Sequence, residues 1–369
     1  MNRHDSGFTL VELMVALFIT AAIMTAAYSS FITISRSFKT VTKQTETQME
    51  SSIGLDILRH DIEMAGYGLP RGSISPSLGY TYNEAVSDGT YTPDPQVLND
   101  ATANEPRSVV IGNNTGPNTS DAFAIKSLDV SSSKTTEKWS YVYYDGASWV
   151  LKSWNDTRYD LSTNDRVIFV SPKRKDLQLN TSNSWTTTLT SGLTYTSNMP
   201  TPGDIDMIYL LYGVDGKTDL RMPFNRADYF LYRDPTNFPA KCNAGTYTLY
   251  RGLLNQSNGM RDAQPLLDCV ADFQVAFGLD VNNIGVITWT DSALPAQAPD
   301  IDYQLKEIRI YILLQEGQFD RDYTYPSSTI LIGDSDITLK NFALSTLSAN
   351  YANYKWRVYK LVAKPLNIS

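Results

Sequence analysis

The chain has 369 residues, enough for one large domain or two ordinary ones with real cores. With 31 basic against 39 acidic residues and a net charge of −8, it lacks the concentrated basic surface that nucleic-acid binding requires, and it carries no such motif. Its 23 Tyr, 13 Phe and 6 Trp, interleaved with Ser and Thr, favour strands.

The first predicted element is nevertheless a helix. After a short leader, Gly7-Phe8-Thr9-Leu10-Val11-Glu12 opens an apolar run, and no residue from Leu13 to Ser35 is charged. A helix over Phe8–Phe31 would be roughly 36 Å long, enough to cross a bilayer. The run is too long for the apolar segment of a cleaved secretory signal, and no Ala-x-Ala-like site follows it. Glu12 sits inside it, where an unpaired carboxylate is costly.

These residues resemble the class III signal of type IV pilins and type II secretion pseudopilins, with the match complete at Gly7, Phe8 and Glu12. The resemblance implies that a prepilin peptidase cuts between Gly7 and Phe8 on the cytoplasmic side and methylates the new Phe8 amine. It also implies an assembly role for Glu12, which would pair with such an amine, often on a neighbouring subunit. The cost of burying the acid then becomes an assembly force and sets a register. Some relatives at the extreme tip lack this acid, so its presence implies a subunit with another above it.

Orientation is where two rules disagree. The leader holds Arg3 and Asp5, whereas Arg36, Lys39 and Lys43 follow the apolar run, so counting basic residues keeps the C-terminal side in the cytoplasm. The resemblance places that side outside, and this is the orientation adopted. The chain is then a single-pass inner-membrane protein that later reaches the pilus or cell surface.

No proline precedes Pro70, and the first glycine after Gly7 is Gly54, so the helix is predicted to run on to about Met64, roughly 85 Å in all. Gly66, Gly68 and Pro70 supply the stop. Phe31, Ile34, Phe38 and Val41 form an apolar stripe; Arg36, Lys39, Lys43, Glu46 and Glu50 form a charged one that reads as a solvated face or as a pairing surface for a displaced copy. Ile53, Ile57, Leu58 and Ile62 predict a face buried against the following domain. Leu58 to Tyr67 resembles the helix end of PilW-type minor pilins, with His60 read as a surface residue.

Residues 72–106 read as a long ordered loop. Strand-like runs follow over 108–112, 121–128, 139–154 with a turn at Asp145-Gly146, 166–171, 204–213, 247–253, 270–279, 285–289, 306–314 and 354–364. The expected fold class is α+β and pilin-like: one long N-terminal helix, transmembrane then amphipathic, carrying a large, mainly antiparallel β domain. The expected division is a leader at 1–7, the membrane half of the helix at 8–31, its amphipathic half at 32–66, a loop-rich and β region at 67–200 forming an insertion or subdomain, and a β-rich pilin domain at 201–369. Leu249-Tyr-Arg-Gly252, Leu267 to Phe273, Phe277 to Asp280, Ile308 to Leu314 and Trp356 to Asn367 also resemble PilW-type proteins in order.

Catalytic chemistry finds little support. His4 and His60 are the only histidines, and His4 leaves with the leader, which argues against a histidine relay or a zinc site. Ile332-Gly-Asp-Ser-Asp336 looks like a hydrolase nucleophile block, but no histidine follows Ser335, and a polar turn is the better reading. Nucleotide-binding glycine loops are lacking. Asp280, Asn282 and Asp291 have partial calcium-loop spacing around Gly285, yet Ile284 occupies an oxygen-ligand position, so a hairpin is preferred and no cofactor is expected. Cys242 and Cys269 read as one disulfide if the domain is exported and as free thiols in the cytosol.

The resemblance thus implies a non-enzymatic minor pilin at or near the tip of a type IV pilus, priming its assembly. Its partners would be prepilin peptidase, other minor pilins, the major pilin, the inner-membrane platform and an adhesin at the tip, with the membrane as its medium and no nucleic acid. Two rival readings are a type II secretion minor pseudopilin and a pilus-tip binding subunit using residues 72–200.

Overall fold

The computed structural model of the chain describes residues 9–70, 82–100, 105–131, 133–173, 175–202, 207–215, 220–292 and 294–368, leaving aside the helix side chains of 36, 39, 40, 43, 44, 46–48, 50 and 51. Helix α1 runs unbroken over Leu10–Glu63. It stops because Gly66 adopts a φ of 80°, a left-handed conformation that L side chains resist. The charged stripe expected at Arg36, Lys39, Lys43, Glu46 and Glu50 falls on side chains outside the description. The apolar stripe of Phe31, Ile34, Phe38 and Val41 is exposed along its length.

Strands β1 (Val109–Gly112) and β2 (Ala122–Ser127) come first. Seven more follow: β3 (Trp139–Tyr144), β4 (Trp149–Leu151), β5 (Arg166–Val170), β6 (Leu177–Gln178), β7 (Thr187–Thr188), β8 (Thr194–Tyr195) and β9 (Ile208–Gly213). Then come β10 (Asn225–Tyr232), β11 (Tyr247–Leu254), β12 (Arg261–Leu279) and β13 (Thr288–Thr290). A short helix α2 (Ala298–Gln304) leads into β14 (Leu305–Glu316), β15 (Thr329–Gly333), β16 (Thr338–Ala343) and β17 (Lys355–Ala363).

The large sheet has the order β1-β2-β10-β11-β12-β14-β17, with β13 beside the far end of β12. Strands β3 to β9 form a separate smaller sheet, and β15-β16 is a lone hairpin. Every pairing among them is antiparallel. Sheet membership crosses residue 200 in both directions: β1 and β2 join the large sheet, while β9 completes the small one.

Period-2 alternation divides the large sheet into two faces. Phe273, Val275, Phe277, Ile308, Ile310, Ile312 and Leu361 point inward with Leu58 and Ile62 of α1, and all belong to the main core. The opposite face is covered at one end by the β15-β16 hairpin, through Ile332 and Phe342. At the other end it is covered by a strap over residues 82–100, through Leu98.

Buried charge holds that strap. Lys126 and Arg226 are register partners on β2 and β10, and like charges placed opposite one another repel. Glu84 of the strap reaches between them, accepting from Lys126 Nζ at 2.8 Å and from Arg226 Nη1 at 2.8 Å. Asp100 takes the other side of Lys126 at 2.5 Å, and Asp228 the other side of Arg226 at 2.7 Å. The loop expected over 72–106 is thus ordered where it is described, because it supplies acids that two buried cations on the strap-covered face require.

Candidate functional site

Functional side chains gather at the two ends of α1. At the N-terminal end, Gly7 and Phe8 lie outside the described residues. Thr9 is the N-cap, with φ −76° and ψ 151°. Its hydroxyl accepts from the Glu12 backbone N–H at 3.2 Å, while Glu12 Oε2 accepts from the Thr9 N–H at 2.9 Å and from the Thr9 hydroxyl at 3.0 Å. This reciprocal arrangement is a capping box, which satisfies orphan amide donors at a helix start. The Thr-x-x-Glu spacing is readable in the sequence, and Thr9 is the functional residue that the sequence reading missed.

Beyond it, Leu10–Ser35 is apolar enough and long enough to cross a membrane, and its most apolar stretch is unburied among the described residues. Twenty-six residues of helix span about 39 Å, more than a hydrocarbon core. Several hydroxyls in this run are satisfied internally: Thr20 donates to Ala16 O at 2.9 Å, Thr25 to Ala21 O at 2.8 Å and Thr33 to Ser29 O at 3.0 Å. That back-bonding lets polar residues sit in lipid without stranded donors.

The other end of α1 is finished inside the domain. Asp61 is buried, and its Oδ2 accepts from the Tyr229 hydroxyl at 2.6 Å and from Arg251 Nε at 2.7 Å, while Oδ1 accepts from Arg251 Nη2 at 3.0 Å. Burial opposes ionisation of Asp61, but the bonds from His60, Arg251 and Tyr229 outweigh it and hold the carboxyl below its usual range. His60 itself is more than half exposed, with Nε2 3.5 Å from Asp129 Oδ2. Its pKa is raised by Asp61 and then Asp129, against partial burial.

Close packing and the chain terminus complete the joint. A Cβ on Gly54 would lie 2.7 Å from Leu267 Cδ2, so this mid-helix glycine lets α1 approach β12. The carbonyl of Glu63, one of the orphan acceptors at the helix end, receives the Leu366 N–H at 2.9 Å and Asn367 Nδ2 at 3.2 Å.

The remaining predicted site residues separate. Cys242 and Cys269 form a disulfide with Cα atoms 5.0 Å apart, and Cys269 takes a φ of 57° at the irregular centre of β12. The calcium spacing does not assemble. Asp280 Oδ1 and Oδ2 accept from the Ile284 and Gly285 amides at 3.0 and 2.9 Å, closing the tight turn that includes Asn282. Phe277 pairs with Thr290, which carries Asp291 about 13 Å along the hairpin from Asp280. Among the described residues, no three metal-ligating side chains cluster. In the Ile332 to Asp336 turn, Asp334 accepts from Arg309 at 2.8 Å, Tyr311 at 2.6 Å and Lys360 at 2.5 Å, which fixes a corner between β15 and β16.

Comparison with known proteins agrees with this geometry. Residues 2–28 match the model of the prokaryotic N-terminal methylation motif. Residues 228–363, which cover β10 to β17, match the model of the type IV pilus-assembly protein W. A type IV-like pilin from Thermus thermophilus aligns at 15% identity over 40% of this chain and 66% of its own, with a TM-score of 0.24. Comparison with curated proteins finds no match.

A methylation motif, a membrane-length helix and an antiparallel sheet docked on that helix's far end define a type IV pilin-like protein. Within that class, the W-family model matches the large sheet that holds the helix.

Proposed function

We propose that the chain is a minor pilin cut between Gly7 and Phe8 by a prepilin peptidase and N-methylated on Phe8. In this reading the Leu10–Ser35 run holds it in the inner membrane with its C-terminal domain outside the cytoplasm. It then assembles at or near the tip of a type IV pilus and primes the filament together with other minor pilins. The major pilin, the inner-membrane platform and an adhesin at the tip are the further partners it implies. The same reading divides the chain at residues 7, 31, 66 and 200, with β1, β2 and β9 joining sheets across the last of these.

The observation that carries it is the capping box on an unpacked, membrane-length helix. Glu12 Oε2 already accepts from the Thr9 amide, so an ammonium created on Phe8, the preceding residue, would appear beside a positioned carboxylate. An axially displaced subunit could offer its own ammonium to the same acid. In lipid either pairing removes a cost of several kcal/mol, on the order of 3, that an isolated acid would bear.

Mass spectrometry of the protein from its native membrane tests the processing: loss of residues 1–7 with one methyl group on Phe8 supports it, and an intact leader refutes it. Deleting the gene then separates the two machineries. Loss of piliation and twitching supports the pilus, whereas loss of enzyme secretion with normal pili assigns the subunit to a type II pseudopilus.

A further inference from the structure

The face of the large sheet turned away from α1 carries a cleft that the assembly reading does not use. Register sets its floor. Phe230 pairs with Tyr250 and Tyr232 with Thr248, while Tyr250 pairs with Pro265 and Gly252 with Ala263, so these side chains share one face. Tyr91 of the strap forms one wall. The loop through Asp234 and Asn237, tied to β12 a few residues later by the Cys242–Cys269 disulfide, forms the other. The open cleft has a volume of about 570 Å³, within the range of small-ligand sites.

The chemistry of the lining is one-sided. Three tyrosine rings, the carboxylates of Asp234 and Asp268 and the amide of Asn237 face the cleft, and none of its described lining residues is basic. The rings meet edge to face: Tyr91 and Tyr232 at 4.9 Å and 80°, Tyr232 and Tyr250 at 5.9 Å and 69°. Asp234 accepts from the Thr236 and Asn237 amides at 2.8 and 3.2 Å and from Asn237 Nδ2 at 3.1 Å, which closes a turn. Asp268 Oδ1 accepts from the Thr248 hydroxyl at 3.1 Å. Among the described residues, neither carboxylate is in an ion pair.

This aromatic cluster already receives one cation from within. The Arg261 guanidinium lies 4.1 Å from the Phe230 ring centroid and 5.4 Å from that of Tyr91, with its charge balanced by Asp88 at 2.9 Å. The cleft side offers the same ring system together with two carboxylates that have no cationic partner. Tyrosine faces attract ammonium and guanidinium groups through the ring quadrupole, most strongly where water is partly excluded.

We propose that this cleft recognises an organic cation, an alkylammonium or guanidinium group seated among Tyr91, Tyr232 and Tyr250 and neutralised by Asp234 and Asp268. The group could come from a small quaternary ammonium compound or from a lysine or arginine side chain of a protein partner. The inference stands whether or not the pilus reading holds, because it uses only the outer face of the sheet.

Calorimetric titration of the full chain in detergent micelles tests it, with four probes. They are choline, N-acetyl-lysine methylamide, the uncharged choline analogue 3,3-dimethylbutan-1-ol, and maltose as a neutral sugar. The expected result is binding of at least one cation, about tenfold tighter than the uncharged analogue. Preference for choline assigns a small-molecule source, and preference for the lysine derivative assigns a protein partner. The pair Asp234→Asn and Asp268→Asn keeps the hydrogen-bond acceptors but removes both charges, and should weaken cation binding about tenfold at an unchanged unfolding midpoint. If that pair unfolds the domain, raising the salt concentration with the unaltered protein discriminates equally well, since screening weakens only charged contacts. Binding of neither cation, equal binding of the uncharged analogue, binding of maltose instead, or insensitivity to both the charge removal and salt would overturn the proposal.

Discussion

The two ends of α1 each carry an acid, and the two acids are treated in opposite ways. Glu12 is exposed and, among the described residues, bonded to Thr9, three residues away. Asp61 is buried and bonded to Tyr229 and Arg251, which lie 168 and 190 residues further along the chain. One end is completed by local geometry alone, and its apolar surface meets nothing within the subunit. The other end is completed by the whole domain. A helix built this way is rigidly fixed to its cargo at one end while its opposite end is kept for surroundings that the single chain does not supply.

This contrast can be broken most severely at Asp61. Asp61→Ala leaves Arg251 without its buried partner and should cost about 3–5 kcal/mol, read as a loss of domain stability in denaturant unfolding. The pH dependence of the joint has a definite sign. A carboxyl depressed in the folded state binds fewer protons there than in the unfolded chain, so its stabilisation is present above the unfolded value and fades as pH falls through the folded one. Acid unfolding below about pH 4 should therefore be shallower in Asp61→Asn than in the unaltered protein.

A smaller effect is expected at Gly54. Its Cβ would crowd Leu267 and also the Leu266 carbonyl at 3.1 Å, so Gly54→Ala should destabilise by about 1–3 kcal/mol despite alanine's better helix propensity. Gain of stability in that variant would show that α1 does not approach β12 closely. The smallest effect on unfolding sharpens the comparison. Glu12→Gln should leave the domain's unfolding midpoint unchanged within measurement, since nothing in the domain touches it, while incorporation into filaments falls. Normal incorporation of that variant would remove the assembly role from Glu12.

The long helix and much of the large sheet were legible from the sequence because their signals are local. An uninterrupted apolar run, the lack of proline and the Gly66 stop defined α1 to within a residue or two. Apolar alternation located β11, β14 and β17. Strand β10, inside the sheet between β2 and β11, was missed because Asn225, Arg226 and Asp228 break the apolar pattern of a buried strand. Glu84 of the strap, 142 residues earlier in the chain, joins Asp228 in making Arg226 an interior residue. The β15-β16 hairpin was overlooked for a related reason. Its partly exposed strands pair only with each other, and their contribution is to cover β14. The Asp61 joint was out of reach: Leu249-Tyr-Arg-Gly252 drew attention as a pattern, but that pattern does not say which acid Arg251 meets.

The tail that caps α1 has a mechanical corollary. Leu366 and Asn367 hold the Glu63 carbonyl directly after β17, whereas Asp61 holds β10 and β11 through Tyr229 and Arg251. A tug along the helix axis is therefore shared among strands on both sides of β12 and loads several attachments in parallel. Peeling the edge strand β17 by its tail alone would need much less force, and the second hold on β10 and β11 keeps tension from entering the sheet by that route alone.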